Sequence, residues 1–164
     1  KRRMDVRSAD DMEALGARLA ARLVPGVVIA LTGDLGAGKT TFVRGALRAL
    51  GHAGPVKSPT FTLVESYLLR GLPVSHFDLY RLNDPEELEY LGIRDYFTGA
   101  GVSFVEWPAR GAGHLPVPDI DVHIATGDDA RTKFVNASAR ISSAAVSRVA
   151  ITVAERGARS SSAS

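Results

Sequence analysis

Met12, Leu15, Leu19 and Leu23 recur at the three- and four-residue spacing of one helical face, just after Ser8 and Asp11. That pair resembles a capping box with Asp in place of Glu, so the spacing predicts a first amphipathic helix, broken by Pro25 and Gly26. Val27 to Leu31 is then continuously apolar, the pattern of a strand covered on both faces in a parallel sheet. A glycine-rich turn follows. From Lys39 the residues Phe42, Val43, Ala46, Leu47 and Leu50 line a second helical face, and Gly51 stands where a C-terminal glycine cap belongs.

Further along, Phe61 to Leu69 and Leu72 to Tyr80 read as two strands meeting in a hairpin near Gly71, with Asp78 near the far end. Asn83-Asp84-Pro85 predicts a helix start, with Asp84 as N-cap, Pro85 at the first position and Glu86 and Glu87 in an acidic first turn. Val102 to Val105 is a short buried strand ending at Glu106, and Ile120 to Ala125 with Lys133 to Ala137 suits a second hairpin around Gly127-Asp128-Asp129. The expected domain is therefore 1–137. Residues 138–164 form an Ala/Ser/Arg-rich extension expected to be partly disordered, although 144–154 has the pattern for a helix or strand.

Gly33-Asp34-Leu35-Gly36-Ala37-Gly38-Lys39-Thr40 fits the phosphate-loop pattern G-x-x-x-x-G-K-[ST] and lies between a strand and a helix, as that motif requires. Glycines let successive backbone N–H groups point inward at phosphates, and the helix start adds its positive end. Lys39 would reach the outer phosphates and Thr40 would bind Mg2+. The predicted fold is α/β: a mononucleotide-binding sheet of the phosphate-loop NTPase kind, mostly parallel with antiparallel hairpins and flanked by helices. Such a loop needs an acidic partner at a neighbouring strand end, to hold Mg2+ or to orient the attacking water. Asp78 and Glu106 both follow strand-like runs and are the two candidates. No N-K-x-D guanine-recognition segment is present, which favours ATP over GTP.

Composition narrows the partners. The 164 residues contain no cysteine, which excludes disulfides, thiolate metal sites and thiol catalysis. No apolar run reaches the roughly 20 residues of a membrane span, and Lys1 to Val6 lacks the apolar stretch of a signal peptide, so the expected compartment is the cytoplasm. The formal net charge of +2 comes largely from the tail, where Arg140, Arg148, Arg156 and Arg159 face one acid, Glu155. The body has no surplus of positive charge to grip a nucleic-acid backbone.

Five segments together resemble the TsaE (YjeE) family. They are Gly33 to Thr41, Ser58-Pro59-Thr60-Phe61-Thr62-Leu63-Val64, His76-Phe77-Asp78-Leu79-Tyr80-Arg81-Leu82, Glu86-Glu87-Leu88 with Gly92-Ile93-Arg94-Asp95-Tyr96, and Val105-Glu106-Trp107-Pro108. The phosphate loop alone is widely shared; the other segments in this order are family-specific, and the resemblance covers about residues 8 to 137. It implies a weak ATPase that acts with TsaB and TsaD in forming threonylcarbamoyladenosine in tRNA. On that reading TsaD transfers the group, this chain's ATP turnover resets the complex, and tRNA is met only through the partners. The resemblance carries over Lys39 and Thr40 as phosphate and Mg2+ ligands, Asp78 and Glu106 as acidic Mg2+ or water-positioning groups, and Thr60 as part of a mobile switch-like loop. It also extends the nucleotide contacts to Asp34, Leu35, Gly36, Ala37, Gly38 and Thr41, and matches Trp107 to the family's tryptophan after the glutamate.

Simpler readings stand beside these. A lone tryptophan after a strand is commonly a packing anchor, and His76 reads as a core or surface residue rather than a metal ligand. Asp128-Asp129-Ala130-Arg131 resembles a family segment beside the nucleotide, but a hairpin turn explains Ala130 and Arg131 equally well. Two other functions remain open: a phosphate-loop small-molecule kinase, for which only Arg94 and Arg110 could serve as lid arginines, and a nucleotide-gated scaffold without catalysis.

Overall fold

The structure is a computed structural model, and it describes residues 2–140. In chain order the elements are β1 (Arg2–Val6), α1 (Ala9–Ala20), β2 (Val28–Gly33), α2 (Lys39–Ala49), β3 (Val64–Leu69), β4 (Leu72–Asp78), α3 (Glu87–Tyr90), β5 (Val102–Glu106), β6 (Ile120–Thr126) and β7 (Lys133–Ala139). Short 3-10 turns at Ile93–Tyr96 and Pro108–Gly111 complete the set.

The strands form one sheet in the order β1-β7-β6-β2-β5-β4-β3. Its centre, β6-β2-β5-β4, is parallel, and antiparallel partners close both edges. The mostly parallel α/β sheet read from the sequence is thus the observed fold. Ile29, Leu31, Phe104, Val122 and Ile124 pack under α1 and α2 on one face. Phe77, Val105 and Val28 meet Leu79, Leu82, Leu88 and Ile93 on the other. The wholly buried β5 is short and apolar because both of its faces are covered.

Local signals explain the helix ends. Ser8 Oγ accepts from the Asp11 N–H at 3.0 Å, while the Asp11 carboxylate accepts from the Arg7 N–H at 3.2 Å, so the cap forms with a shifted return contact. At the end of α2, the His52 N–H reaches the Leu47 carbonyl at 2.9 Å around Gly51, the expected glycine cap.

Several boundaries move. Arg2–Val6, which carries no strand pattern in the sequence, forms β1 and pairs with β7, a non-local contact that periodicity cannot show. The run from Phe61 becomes strand only at Val64, because residues 59–63 turn, with the Leu63 N–H on the Pro59 carbonyl at 2.8 Å. The strand expected to end at Tyr80 ends at Asp78, whose carboxylate takes the Tyr80 N–H. Asp84 does not cap α3; its side chain accepts from the Glu86 N–H at 2.9 Å in a local turn, and the helix proper begins at Glu87. β7 runs to Ala139, two residues past the expected core end at 137. The pattern noted over 144–154, and most of the proposed 138–164 extension, lies outside the described residues.

Candidate nucleotide site

The parallel centre of the sheet sends β2, β4, β5 and β6 to the same edge, so the segments leaving these four strands meet there. The chain leaves β2 for the β3–β4 hairpin at one edge, then inserts β5 between β2 and β4 and lays β6 on the far side of β2. A crevice at that reversal is where open α/β sheets hold ligands. Here it is an open cavity of about 370 Å³ bordered by the glycine loop and α2, by Ser58 and Thr60, and by the ends of β4 and β5.

Residues 33–38 turn from β2 into α2, and Gly38 occupies the N-cap position at φ 113°, a backbone state that a side chain would strain. With no side-chain cap there, the first N–H groups of α2 retain their positive end for an anion. Lys39, the first residue of α2, folds back: its Nζ donates to the carbonyls of Gly33 and Asp34, both at 2.7 Å, and lies 4.4 Å from the centre of the Trp107 ring. Burial pushes the Lys39 pKa below the usual lysine value, against the opposing pull of the carboxylates of Glu106, Asp78 and Asp34.

The two acids are neighbours by sheet register. Asp78 ends β4 opposite Glu106 at the end of β5, and both are buried at 4% and 2% exposure. Strand alternation turns Val74, His76 and Asp78 to one face and Phe104 and Glu106 to the same face, the one under α2. Glu106 Oε1 accepts from Thr40 Oγ1 at 2.9 Å and lies 2.8 Å from His76 Nε2. Asp78 Oδ2 accepts from Ser58 Oγ and, at 3.1 Å, from Thr60 Oγ1, while Oδ1 holds the Tyr80 N–H at 3.0 Å. Thr60 is therefore tied to the β4 end through Asp78.

Leu35, Gly36, Gly38, Lys39, Thr40, Thr41, Thr60, Asp78, Glu106 and Trp107 all border the cavity. Four others stand apart. Ala37 is buried in the core with its N–H on the Asp34 carbonyl, and Asp34 acts through that carbonyl, which it also offers to Lys39. Ala130 and Arg131 share the sheet edge but do not border the cavity; Asp129 gathers the N–H groups of Arg131 and Thr132 into a hairpin turn. Conversely, sequence reasoning passed over Ser58, Tyr80 and Arg81 on the cavity wall and the His76 contact to Glu106. The available signal was spacing: Ser58 precedes Thr60, and His76 precedes Asp78, by two residues.

Trp107 is both anchor and wall. It takes φ 57°, packs beside the Phe77–Leu88 cluster, and meets the Tyr80 ring at 5.0 Å between centroids with the planes tilted by 46°, while its ring covers Lys39.

The residues fit a nucleotide with its cation. An uncapped helix start, an ammonium group and a hydroxyl beside two buried carboxylates supply hard oxygen donors together with anion-binding groups around one cavity. Among the described residues no group of three or more His, Cys, Asp or Glu side chains is placed to hold a metal ion.

Comparison with known proteins identifies relatives of the whole fold. The sequence model for the threonylcarbamoyl adenosine biosynthesis protein TsaE matches residues 6–134. The tRNA threonylcarbamoyladenosine biosynthesis protein TsaE of Haemophilus influenzae is 57% identical over 105 residues, 64% of this chain and 66% of that protein. Its counterpart in Bacillus subtilis is 43% identical over 123 residues, 74% and 77% of the respective chains. The crystal structure of Bacillus subtilis YdiB superposes with a TM-score of 0.78 at 30% identity over 95% of both chains. With the five sequence segments placed on one phosphate-loop fold and the sequence model spanning nearly all of the described residues, this chain belongs to the TsaE family.

Proposed function

We propose that the chain binds ATP with Mg2+ in this cavity and hydrolyses it, as a subunit that supports threonylcarbamoyladenosine formation in tRNA alongside TsaB and TsaD. The observation that carries the reading is the meeting of Lys39, Thr40, Asp78 and Glu106 around one cavity at the start of α2. Each has a separate task there. The N–H groups that open α2 and the Lys39 ammonium attract the phosphates. Thr40 and the carboxylates of Glu106 and Asp78 are the groups that would hold Mg2+, which when bound neutralises charge developing on the phosphoryl oxygens.

Water attack on the terminal phosphate requires a group that orients the water, and Glu106 and Asp78 both border the cavity where such a group is needed. Trp107 and Tyr80 form one wall of the cavity. A supporting ATPase, rather than the transferase, is the role these groups suit, since each of them serves phosphate, cation or water. The lack of a basic surplus in the body leaves tRNA binding to the partners.

The test is Mg2+-dependent ATP hydrolysis by the purified chain, alone and with TsaB and TsaD, beside Lys39→Ala and Glu106→Ala. Stimulation by the partners that both variants abolish supports the reading. Turnover only with an added small acceptor points to a kinase instead, and full pathway function in Glu106→Ala points to a nucleotide-gated scaffold.

A further inference from the structure

His76 is the one fully buried histidine of the described residues, and it does not border the cavity. It lies in β4 opposite Phe104 of β5, two residues before Asp78 on the same face. From there its Nε2 reaches diagonally to Glu106 Oε1 at 2.8 Å, while its Nδ1 is buried without a hydrogen-bond partner.

A carboxylate oxygen accepts, so in this contact the imidazole donates from Nε2–H. A ring buried for packing alone would be better replaced by leucine, since an unpartnered buried nitrogen is destabilising. The position instead serves one directed contact. Glu106 Oε1 is held from α2 by the Thr40 hydroxyl and from β4 by His76. A glutamate side chain has three rotatable bonds, and donors from two different elements restrict it where one would not.

We propose that His76 is a positioning residue for Glu106: its Nε2–H holds the carboxylate in its working orientation from behind the cavity, without touching nucleotide. This rests on the proposed ATPase reading. Groups that orient ligands from outside the first contact are worth ~10- to 100-fold in activity or metal affinity, and His76 falls in that range.

The substitutions separate a donor from a filler. His76→Gln places an amide nitrogen near the original Nε2, His76→Asn stops short of it, and His76→Leu fills the space without a donor. In the full chain with TsaB and TsaD, Asn and Leu should lower kcat for ATP hydrolysis ~10-fold or more with KM for ATP within about twofold of wild type. Gln should recover most of the loss. Full kcat in Asn and Leu overturns the proposal, as does a loss that Gln shares equally. If Leu does not fold, the contrast between Gln and Asn decides.

A readout independent of turnover is long-range 1H–15N correlation of the nucleotide-free protein. The proposal requires the Nε2–H tautomer for His76 and a moved Nε2 resonance in Glu106→Ala; an Nδ1–H tautomer, or an unmoved resonance, refutes it. If the wild-type complex hydrolyses no ATP, the ATPase reading and this inference fall together. If the wild type is active and the His76 variants match it, only the inference falls.

Discussion

Helices α1 and α2 touch through two glycines, and adding one methyl group to either should destabilise the fold. A Cβ on Gly16 would lie 2.0 Å from the Phe42 carbonyl oxygen, and one on Gly45 would lie 2.0 Å from the Glu13 carbonyl oxygen. Ordinary contact begins at 3.4 Å, so the backbones must part by roughly 1.4 Å. No side-chain rotation relieves the clash, because the atoms met are main chain. Helix propensity alone makes Gly→Ala favourable by ~1 kcal/mol, whereas overpacking costs ~1–3 kcal/mol and occasionally more. A forced helix separation belongs at the upper end of that range. It also loosens Met12, Leu15 and Leu19 against the α2 side chains Phe42, Val43 and Ala46. The net expectation for Gly16→Ala is a loss of ~2 kcal/mol, or ~6 °C in Tm for a chain of this size. Urea denaturation with an unchanged slope measures it. The Gly16→Ala/Gly45→Ala double variant should lose less than the sum, since one separation accommodates both methyl groups. Either single variant being as stable as wild type, or more so, would refute the close-approach argument, because that is what propensity alone predicts.

Other expectations concern the cavity and its rim. Lys39→Ala removes both bonds to the loop carbonyls and should abolish measurable ATP binding by calorimetry; retained affinity would mean the loop binds phosphate without it. Thr40→Ala and Glu106→Ala should each lower Mg2+-dependent turnover by ~100-fold or more, with circular dichroism unchanged. Asp78→Asn should retain the Tyr80 turn yet turn over slowly, and wild-type rates in all these variants would remove the site assignment. Asp129 should confer pH-dependent stability. The Thr132 backbone N–H, chiefly, and then its hydroxyl hold the Asp129 carboxyl below its ordinary value. A depressed carboxyl contributes stability above the unfolded pKa that is lost as pH falls through the folded one. Asp129→Ala should therefore be less stable than wild type at neutral pH and converge with it in acid, as read by denaturation at several pH values.

Much of the molecule was legible in the residues themselves. Helical periodicity from Met12 and Phe42 located α1 and α2, and the continuous apolar runs at Val27 and Val102 located strands buried on both faces. The phosphate loop could be placed because its pattern is local and its flanks are a strand and a helix. Asp78 and Glu106 were identified as strand-end acids, and the family segments around them led to the right fold. These features depend on interactions within a few residues, which periodicity and turn chemistry record directly.

The remaining features join residues far apart in the chain. The pairing of β1 with β7 turns a charged terminus into a sheet edge, and no pattern within Arg2–Val6 announces its partner. Register between β4 and β5, two strands separated in the chain by α3 and its flanking turns, sets Asp78 beside Glu106 and brings His76 to within 2.8 Å of its carboxylate. Turn chemistry at Asp129 set Arg131 and Thr132 in the hairpin between β6 and β7, and neither Ala130 nor Arg131 borders the cavity. Local periodicity and residue type were enough to place α1, α2 and the buried central strands and to mark the candidate phosphate loop. Which of those residues meet was decided by sheet order and register, because a side chain's partners across a sheet are chosen by how whole strands align.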